Sequence, residues 1–161
     1  MAVGRLSAQL DRNRNNASFQ DALEERIIVA FFIPALVYLA DAIGTQNVAA
    51  AVRELSLRRP SLGGLLWRQL VTGGMIGLTL GIVAFAAIWA FFGNATIGLG
   101  VAISLVWAGT LASAIGMLLP WLLSRFGLDP AFGSGPVGTI LQDALTIAVY
   151  FFVVTRVVGI A

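Results

Sequence analysis

Two aspartates lie inside stretches of sequence that are otherwise strongly apolar. Around Asp143, the hydroxyl residues Thr139, Thr146 and Tyr150 recur at helical spacing, and at about 100° per residue all four fall within about 60° of one another. A carboxylate in the hydrocarbon region of a bilayer is costly and is usually found on an ion pathway or beside a partner. We therefore expect this polar stripe to line a hydrated path for a cation.

A structural alternative exists for Asp143. Its carboxyl group could instead be protonated, or neutralised by an arginine from another helix. The arginines cluster at the ends of the apolar stretches, so none is an obvious partner in the middle of the membrane. The cation site is the favoured interpretation, because intramembrane acids are functional by default.

Asp41 is the second acidic residue of this kind. Tyr38 and Thr45 lie on the same side of the helix predicted around it, which gives a similar polar stripe. We interpret Asp41 as a candidate second metal-binding residue, with a structural role as an equal alternative.

The elements that must position these residues are membrane-spanning helices. The chain has 161 residues, of which 58% are hydrophobic and only 11% charged, and its mean hydropathy is +0.90. A helix needs roughly 20 apolar residues to cross a hydrocarbon core of about 30 Å. Four segments meet this requirement: residues 27–52, 69–92, 97–124 and 137–155. We predict an all-α integral membrane protein with four transmembrane helices, a multi-pass protein of the cell membrane.

The first span is less regular than the others. Pro34 lies inside it and removes a helical hydrogen bond, so we predict a kinked or broken helix. Ahead of it, the run Ser18 to Asp21 resembles a capping box. This predicts an N-terminal interfacial helix, preceded by a flexible tail around residues 13–16. The predicted domains are a polar tail and interfacial helix (1–26) and a transmembrane domain (27–161).

The charges leave the orientation in the membrane open. With four crossings, five arginines fall on each side, so the positive-inside rule gives a tie. We favour a cytoplasmic location for the Arg53–Arg68 loop.

The residue types that are missing exclude several functions. Lysine, histidine and cysteine are absent, which removes a Walker-type phosphate loop and zinc-thiolate sites. General acid–base chemistry usually recruits histidine, so we predict no enzyme, no catalytic residues and no bound organic cofactor. A dense basic face for nucleic acid is also missing.

Small residues recur at helical spacing on the second and third spans. Such residues let helix backbones approach closely in lipid, so we predict that they pack the helices. They are Gly73, Gly77 and Gly81, then Gly109, Ala112, Ser113 and Gly116.

Several motifs together resemble one known family. The sequence from about Glu24 to the C-terminus is similar to the membrane domain of MgtE-family magnesium channels and transporters. The resemblance lies in Pro34, Gly44-Thr45-Gln46, Val52-Arg53, the glycines between Arg68 and Gly81, Gly109 to Ala112, Pro120, Gly127 to Ala131, Ser134 to Pro136, Thr139, Asp143-Ala144 and Tyr150-Phe151.

The resemblance implies a homodimer with a cation pore along its two-fold axis. In that arrangement Asp143 binds Mg²⁺ largely through the water shell of the ion, while Thr139 and Gly135 also face the pore. Mg²⁺ dehydrates reluctantly and prefers one or two carboxylates with retained waters, which suits one aspartate from each of two copies.

Three departures from the family pattern are expected to matter. The usual first membrane helix has no counterpart, and the N-terminal regulatory region with its nucleotide-binding domains is missing, which puts family-style gating in doubt. Ala40-Asp41-Ala42 replaces the common Gly-Gly-Asn and adds a negative charge near the pathway.

The sequence thus predicts transport of Mg²⁺ or a similar divalent cation, with Asp143, Thr139 and Asp41 as the metal-binding residues. Two alternatives remain open: a secondary transporter coupled to protons or Na⁺, and a non-transporting membrane scaffold whose aspartates pair across helices.

Overall fold

A computed structural model describes residues 2–57, 62–131 and 134–159, and the side chains of residues 26–56, 62–131 and 135–159. These ranges form four α-helices: α1 (Ala2–Leu57), α2 (Leu62–Phe92), α3 (Ala95–Arg125) and α4 (Ser134–Val158). Each contains a stretch that is long and apolar enough to cross a bilayer: Arg26–Ser56, Leu62–Phe92, Ala95–Arg125 and Gly135–Val158. The four predicted transmembrane helices are confirmed.

Helix α1 is longer and more regular than predicted. It continues through Pro34, so a break in the first span is excluded. Proline removes one hydrogen bond of the helical ladder, and the bonds on either side suffice to continue the helix. The helix also begins at Ala2, so the expected flexible tail at residues 13–16 is helical. Helix extension is cooperative, which carries α1 through asparagines of poor intrinsic propensity.

Two short connections frame α3. Gly93 adopts a left-handed conformation (φ +67°), and the Asn94 side chain caps the new helix by accepting a hydrogen bond from the Ile97 amide at 3.0 Å. The connection between α2 and α3 is therefore confined to Gly93 and Asn94. At the other end Gly127 (φ +73°) follows the last turn of the helix, and the Leu128 amide donates to the Leu123 carbonyl at 2.9 Å.

The segment after α3 forms turns. The pair Asp129-Pro130 would suit the start of a short helix with Asp129 as its cap. Instead its carboxylate accepts from the Ala131 amide at 2.9 Å, and residues 127–131 form turns without a helix. Asp129 bonds the amide two residues ahead, which is an Asx turn.

Contacts group residues 33–161 into one compact unit, separate from the first part of the chain up to Phe32. Within the larger unit α3 is the central helix. More than half of its most apolar stretch is buried, against about a third or less in the other three spans. Its neighbours are α1, α2 and α4. This arrangement lets α1 and α4 meet beside it.

Glycines bring α2 and α3 into close contact. A Cβ atom built on Gly77 would lie 2.5 Å from the Leu105 carbonyl oxygen, and one on Gly81 would lie 2.9 Å from that of Ala102. Real Cβ atoms do not approach backbone so closely, so only glycine fits. The predicted packing role of these glycines is confirmed.

Candidate functional site

The structure brings Asp41 and Thr139 together. The Thr139 hydroxyl donates to Oδ1 of Asp41 at 3.2 Å, which joins α1 to α4. Both side chains are half-buried. The Thr45 hydroxyl, one turn further along α1, donates to the Asp41 backbone carbonyl at 2.8 Å and thus leaves the carboxylate free for other donors.

Asp143 lies one turn beyond Thr139 on the same helix and is also half-buried. It has no hydrogen-bond or ion-pair partner among the side chains of residues 26–56, 62–131 and 135–159. The charges of Asp41 and Asp143 are close enough to interact. The site thus holds two carboxylates in the membrane-spanning part of the chain, and one of them is unpaired.

Arginines of the described segments do not neutralise this pair. Arg68 lies 3.9 Å from Glu54 at an exposed position, Arg125 stacks on Trp121 and Arg156 on Phe152. Within the described side chains the two acids therefore lack arginine partners, as the cation-site interpretation requires.

The polar stripe of α4 is divided in the structure. Thr139 and Asp143 are half-buried, whereas Thr146 is 1% exposed and Tyr150 is fully buried. The expectation that all four line one hydrated path is therefore wrong. Gln142, Thr146 and Tyr150 follow one another at four-residue spacing, and this face of α4 packs into the protein.

A recess of about 80 Å³ lies beside the acidic pair, between α1, α3 and α4. Its most buried polar side chain is Gln142, which is 3% exposed and lies directly over Gly44. The Nε2 atom of Gln142 has no hydrogen-bond partner within the described parts of the chain. The lining residues are Asp41, Gly44, Thr45, Val48, Ile115, Gly116, Gly135, Gly138, Thr139 and Gln142.

Sequence reasoning missed Gln142 and a second polar contact. Asn47 Nδ2 donates to the Ser113 hydroxyl at 2.6 Å, in a buried position between α1 and α3. Ser113 had been assigned only to a strip of small packing residues. The available signal was simple: Asn47 and Gln142 are amides inside apolar helices, where an unsatisfied polar group is costly.

The donor set limits which metal ion would bind. No group of three or more acidic, histidine or cysteine side chains occurs within the described parts of the chain. Two carboxylates and a hydroxyl suit a hard cation that keeps much of its water shell, whereas Ca²⁺ takes six to eight oxygen ligands.

Comparison with known proteins agrees with this donor set. Residues 33–153 match the model of a family described as a divalent cation transporter, MgtE. The chain belongs to the MgtE family. The matched region contains the acidic pair, Thr139 and the whole recess, so the resemblance noted in the sequence is confirmed. This membership also agrees with the prediction that the chain is a multi-pass membrane protein and not an enzyme.

Three MgtE relatives are each named "Magnesium transporter MgtE". The protein of Bacillus subtilis is 31% identical over 140 residues, which cover 85% of this chain and 31% of the relative. Those of Enterococcus faecalis and Thermus thermophilus are each 30% identical, with 84% of this chain and 30% of the relative covered. The chain thus spans about a third of the length of the curated relatives it matches.

Proposed function

We propose that this chain moves Mg²⁺, or a divalent cation of similar hydration, down its electrochemical gradient through a pore at the axis of a homodimer. The observation that carries the proposal is the unpaired, half-exposed Asp143 on a transmembrane helix, one turn from the Asp41–Thr139 pair. An uncompensated carboxylate in this position is expensive, and a passing cation offsets that cost.

The chemistry of the three side chains fits a hydrated dication. Two-fold symmetry would place two copies of Asp143 around one ion and match its charge. Thr139 donates its single hydroxyl hydrogen to Asp41, so the lone pairs of its oxygen are free to accept hydrogen bonds from water bound to the ion. Asp41 then contributes a second negative charge beside the path.

Flux into proteoliposomes tests the transport step. Purified chain is reconstituted with a Mg²⁺-sensitive dye inside the vesicles, and external Mg²⁺ is added. We expect uptake by the wild type and loss of uptake by Asp143→Ala. The matched control is Asp129→Asn, which keeps the oxygen that accepts from Ala131 and lies outside the spans. Undiminished uptake by Asp143→Ala would contradict the assigned role.

Cross-linking tests the homodimer axis. The chain contains no cysteine, so Asp143→Cys creates a unique thiol. Bismaleimides of graded length should link two copies through this position in vesicles. The control thiol, Trp89→Cys, lies at an exposed position on α2 and should give much less dimer. Equal cross-linking at the two positions would place the axis elsewhere.

One observation favours a second candidate function. The Thr139–Asp41 hydrogen bond is also what a non-transporting scaffold would use to tie its helices together. A scaffold shows no flux, and Asp41→Ala would then reduce dimer formation and folding. A coupled carrier, the remaining alternative, would show Mg²⁺ flux that depends on an imposed pH or Na⁺ gradient.

A further inference from the structure

The Gln142 amide is an unusual buried group. It lies on α4 between Thr139 and Asp143, is 3% exposed, and has an Nε2 atom without a hydrogen-bond partner among the described residues. A buried donor in this state is destabilising, and native proteins normally satisfy such groups with protein atoms or ordered water. An unpartnered donor beside a recess therefore points to something bound there.

The space for this side chain is provided by Gly44. A Cβ atom at position 44 would collide with the Gln142 amide, with Cδ at 2.7 Å and Nε2 at 2.9 Å. Gly116 is equally restricted from the α3 side, because its Cβ would lie 2.7 Å from the Gly44 carbonyl oxygen. Two glycines on two helices thus leave room for one polar side chain and the recess next to it.

Asp41 is the acidic residue in the lining of this recess. The Asp41–Thr139 hydrogen bond and the Gly44–Gln142 contact both join α1 to α4. All four residues line the same recess. One water that accepts from an amide and donates to a carboxylate joins heavy atoms roughly 4.5–5.5 Å apart, so it can bridge two groups that line one small recess.

The recess also has the size and polarity that ordered water requires. Its volume is about 80 Å³, and a water molecule in the liquid takes about 30 Å³. A buried water typically makes two to four hydrogen bonds. The Gln142 amide, the Asp41 carboxylate and the Thr139 hydroxyl supply that number.

We propose that the recess between α1, α3 and α4 is a water-binding site, in which water accepts from Gln142 Nε2 and donates to the Asp41 carboxylate. Gln142 is then a positioning residue. Together with Thr139 it holds Asp41 from the α4 side, so that Asp41 acts on the ion path through its charge and Asp143 is left to face the hydrated ion. Only the consequence for ion flux depends on the proposed function.

Water contact of the Gln142 amide is measurable directly. The full chain is labelled with ¹⁵N at Gln and Asn side chains, placed in lipid bilayers, and examined by water-edited solid-state NMR. Gln142→Met assigns the signal by its disappearance. The control is Asn47, which is similarly buried (7% exposed) but bonded directly to Ser113.

We expect rapid magnetisation transfer from water to the Gln142 side chain and slow transfer to Asn47. In Gly44→Ala the new methyl group displaces the amide, so the rapid transfer should be lost or the signal should shift. Transfer to Gln142 that is as slow as transfer to Asn47 would overturn the proposal.

A flux measurement tests the positioning role. Gln142→Met keeps the length of the side chain and removes the donor, so a purely structural role predicts an unchanged dependence on Mg²⁺ concentration. We expect the concentration for half-maximal flux to rise about threefold while the maximal rate changes less. An unchanged concentration dependence would contradict the positioning role. Absence of flux from the wild type would refute the proposed function, and the NMR result would still decide whether the recess holds water.

Discussion

Two helix contacts in this protein use glycine in opposite ways. Between α2 and α3, Gly77 faces the backbone of Leu105 and Val106, and the groove beside them is lined only by apolar side chains. Between α1 and α4, Gly44 faces the end of the Gln142 side chain, beside two carboxylates. Glycine serves helix approach in the first contact and makes room for a polar group in the second. The first should therefore determine stability, and the second should determine transport.

The largest effect on Mg²⁺ flux is expected from removing a negative charge beside the contact between α1 and α4. Asp143→Asn should lower Mg²⁺ flux tenfold or more, because one charge pair at 4 Å in an effective dielectric of about 20 is worth roughly 4 kcal/mol and each 1.4 kcal/mol is about tenfold. Asp41→Asn should cost less, since the asparagine oxygen can still accept from Thr139. Folding should be unaffected in both variants, as judged by gel filtration in detergent. A larger loss of flux in Asp41→Asn would mean that Asp41, and not Asp143, is the principal ion-binding residue.

A methyl group added to the apolar contact between α2 and α3 should instead destabilise the fold. In Gly77→Ala the new Cβ would lie 2.5 Å from the Leu105 carbonyl oxygen and 2.9 Å from the Val106 Cα. Neither backbone atom can move alone, so we expect a loss of about 1–3 kcal/mol, the usual cost of overpacking. The free energy of unfolding in mixed micelles measures it. The control is Gly63→Ala on the same helix, where a Cβ meets nothing within 4 Å. Equal stability of the two variants would contradict the close approach.

The sequence predicted most of the contact between α2 and α3. It predicted only part of the contact between α1 and α4. Length and hydropathy indicated four spans, and small residues at helical spacing indicated where α2 and α3 meet. Asp41 and Asp143 were predicted as site residues because acids in apolar helices are rare, and Thr139 because it lies one turn from Asp143. Periodicity could not show that Thr146 and Tyr150 face the protein interior, because a stripe on one helix does not reveal which neighbour covers it. The partners of Gln142 and Asn47 depend on helices distant in sequence, and the continuity of α1 through Pro34 depends on cooperativity that a local rule ignores.

The Asn47–Ser113 hydrogen bond lies between the two kinds of contact and should have an intermediate effect. Asn47 donates to the Ser113 hydroxyl at 2.6 Å, and Ser113 also adjoins Gly73. A double-mutant cycle with Asn47→Ala and Ser113→Ala should give a coupling energy of about 0.6 kcal/mol, typical for such bonds in membrane proteins. Thr79→Ala is the control, because the Thr79 hydroxyl donates to the Met75 carbonyl in its own helix at 2.9 Å. This variant should show no coupling energy with Asn47→Ala or with Ser113→Ala. A coupling energy of zero would mean that the bond contributes nothing to stability.

Gly44→Ala should destabilise the fold less than Gly77→Ala, because its Cβ collides with a side chain and not with backbone. The atoms it meets are the far end of the flexible Gln142 side chain, which can rotate away at a cost of about 0.5–1.5 kcal/mol. In a Gln142→Ala background that cost should disappear, because the colliding amide is gone. The loss of unfolding free energy in the double variant should therefore be smaller than the sum of the losses in the two single variants. Additive losses would mean that Gly44 is constrained by backbone, as Gly77 is, and the distinction between the two contacts would fail.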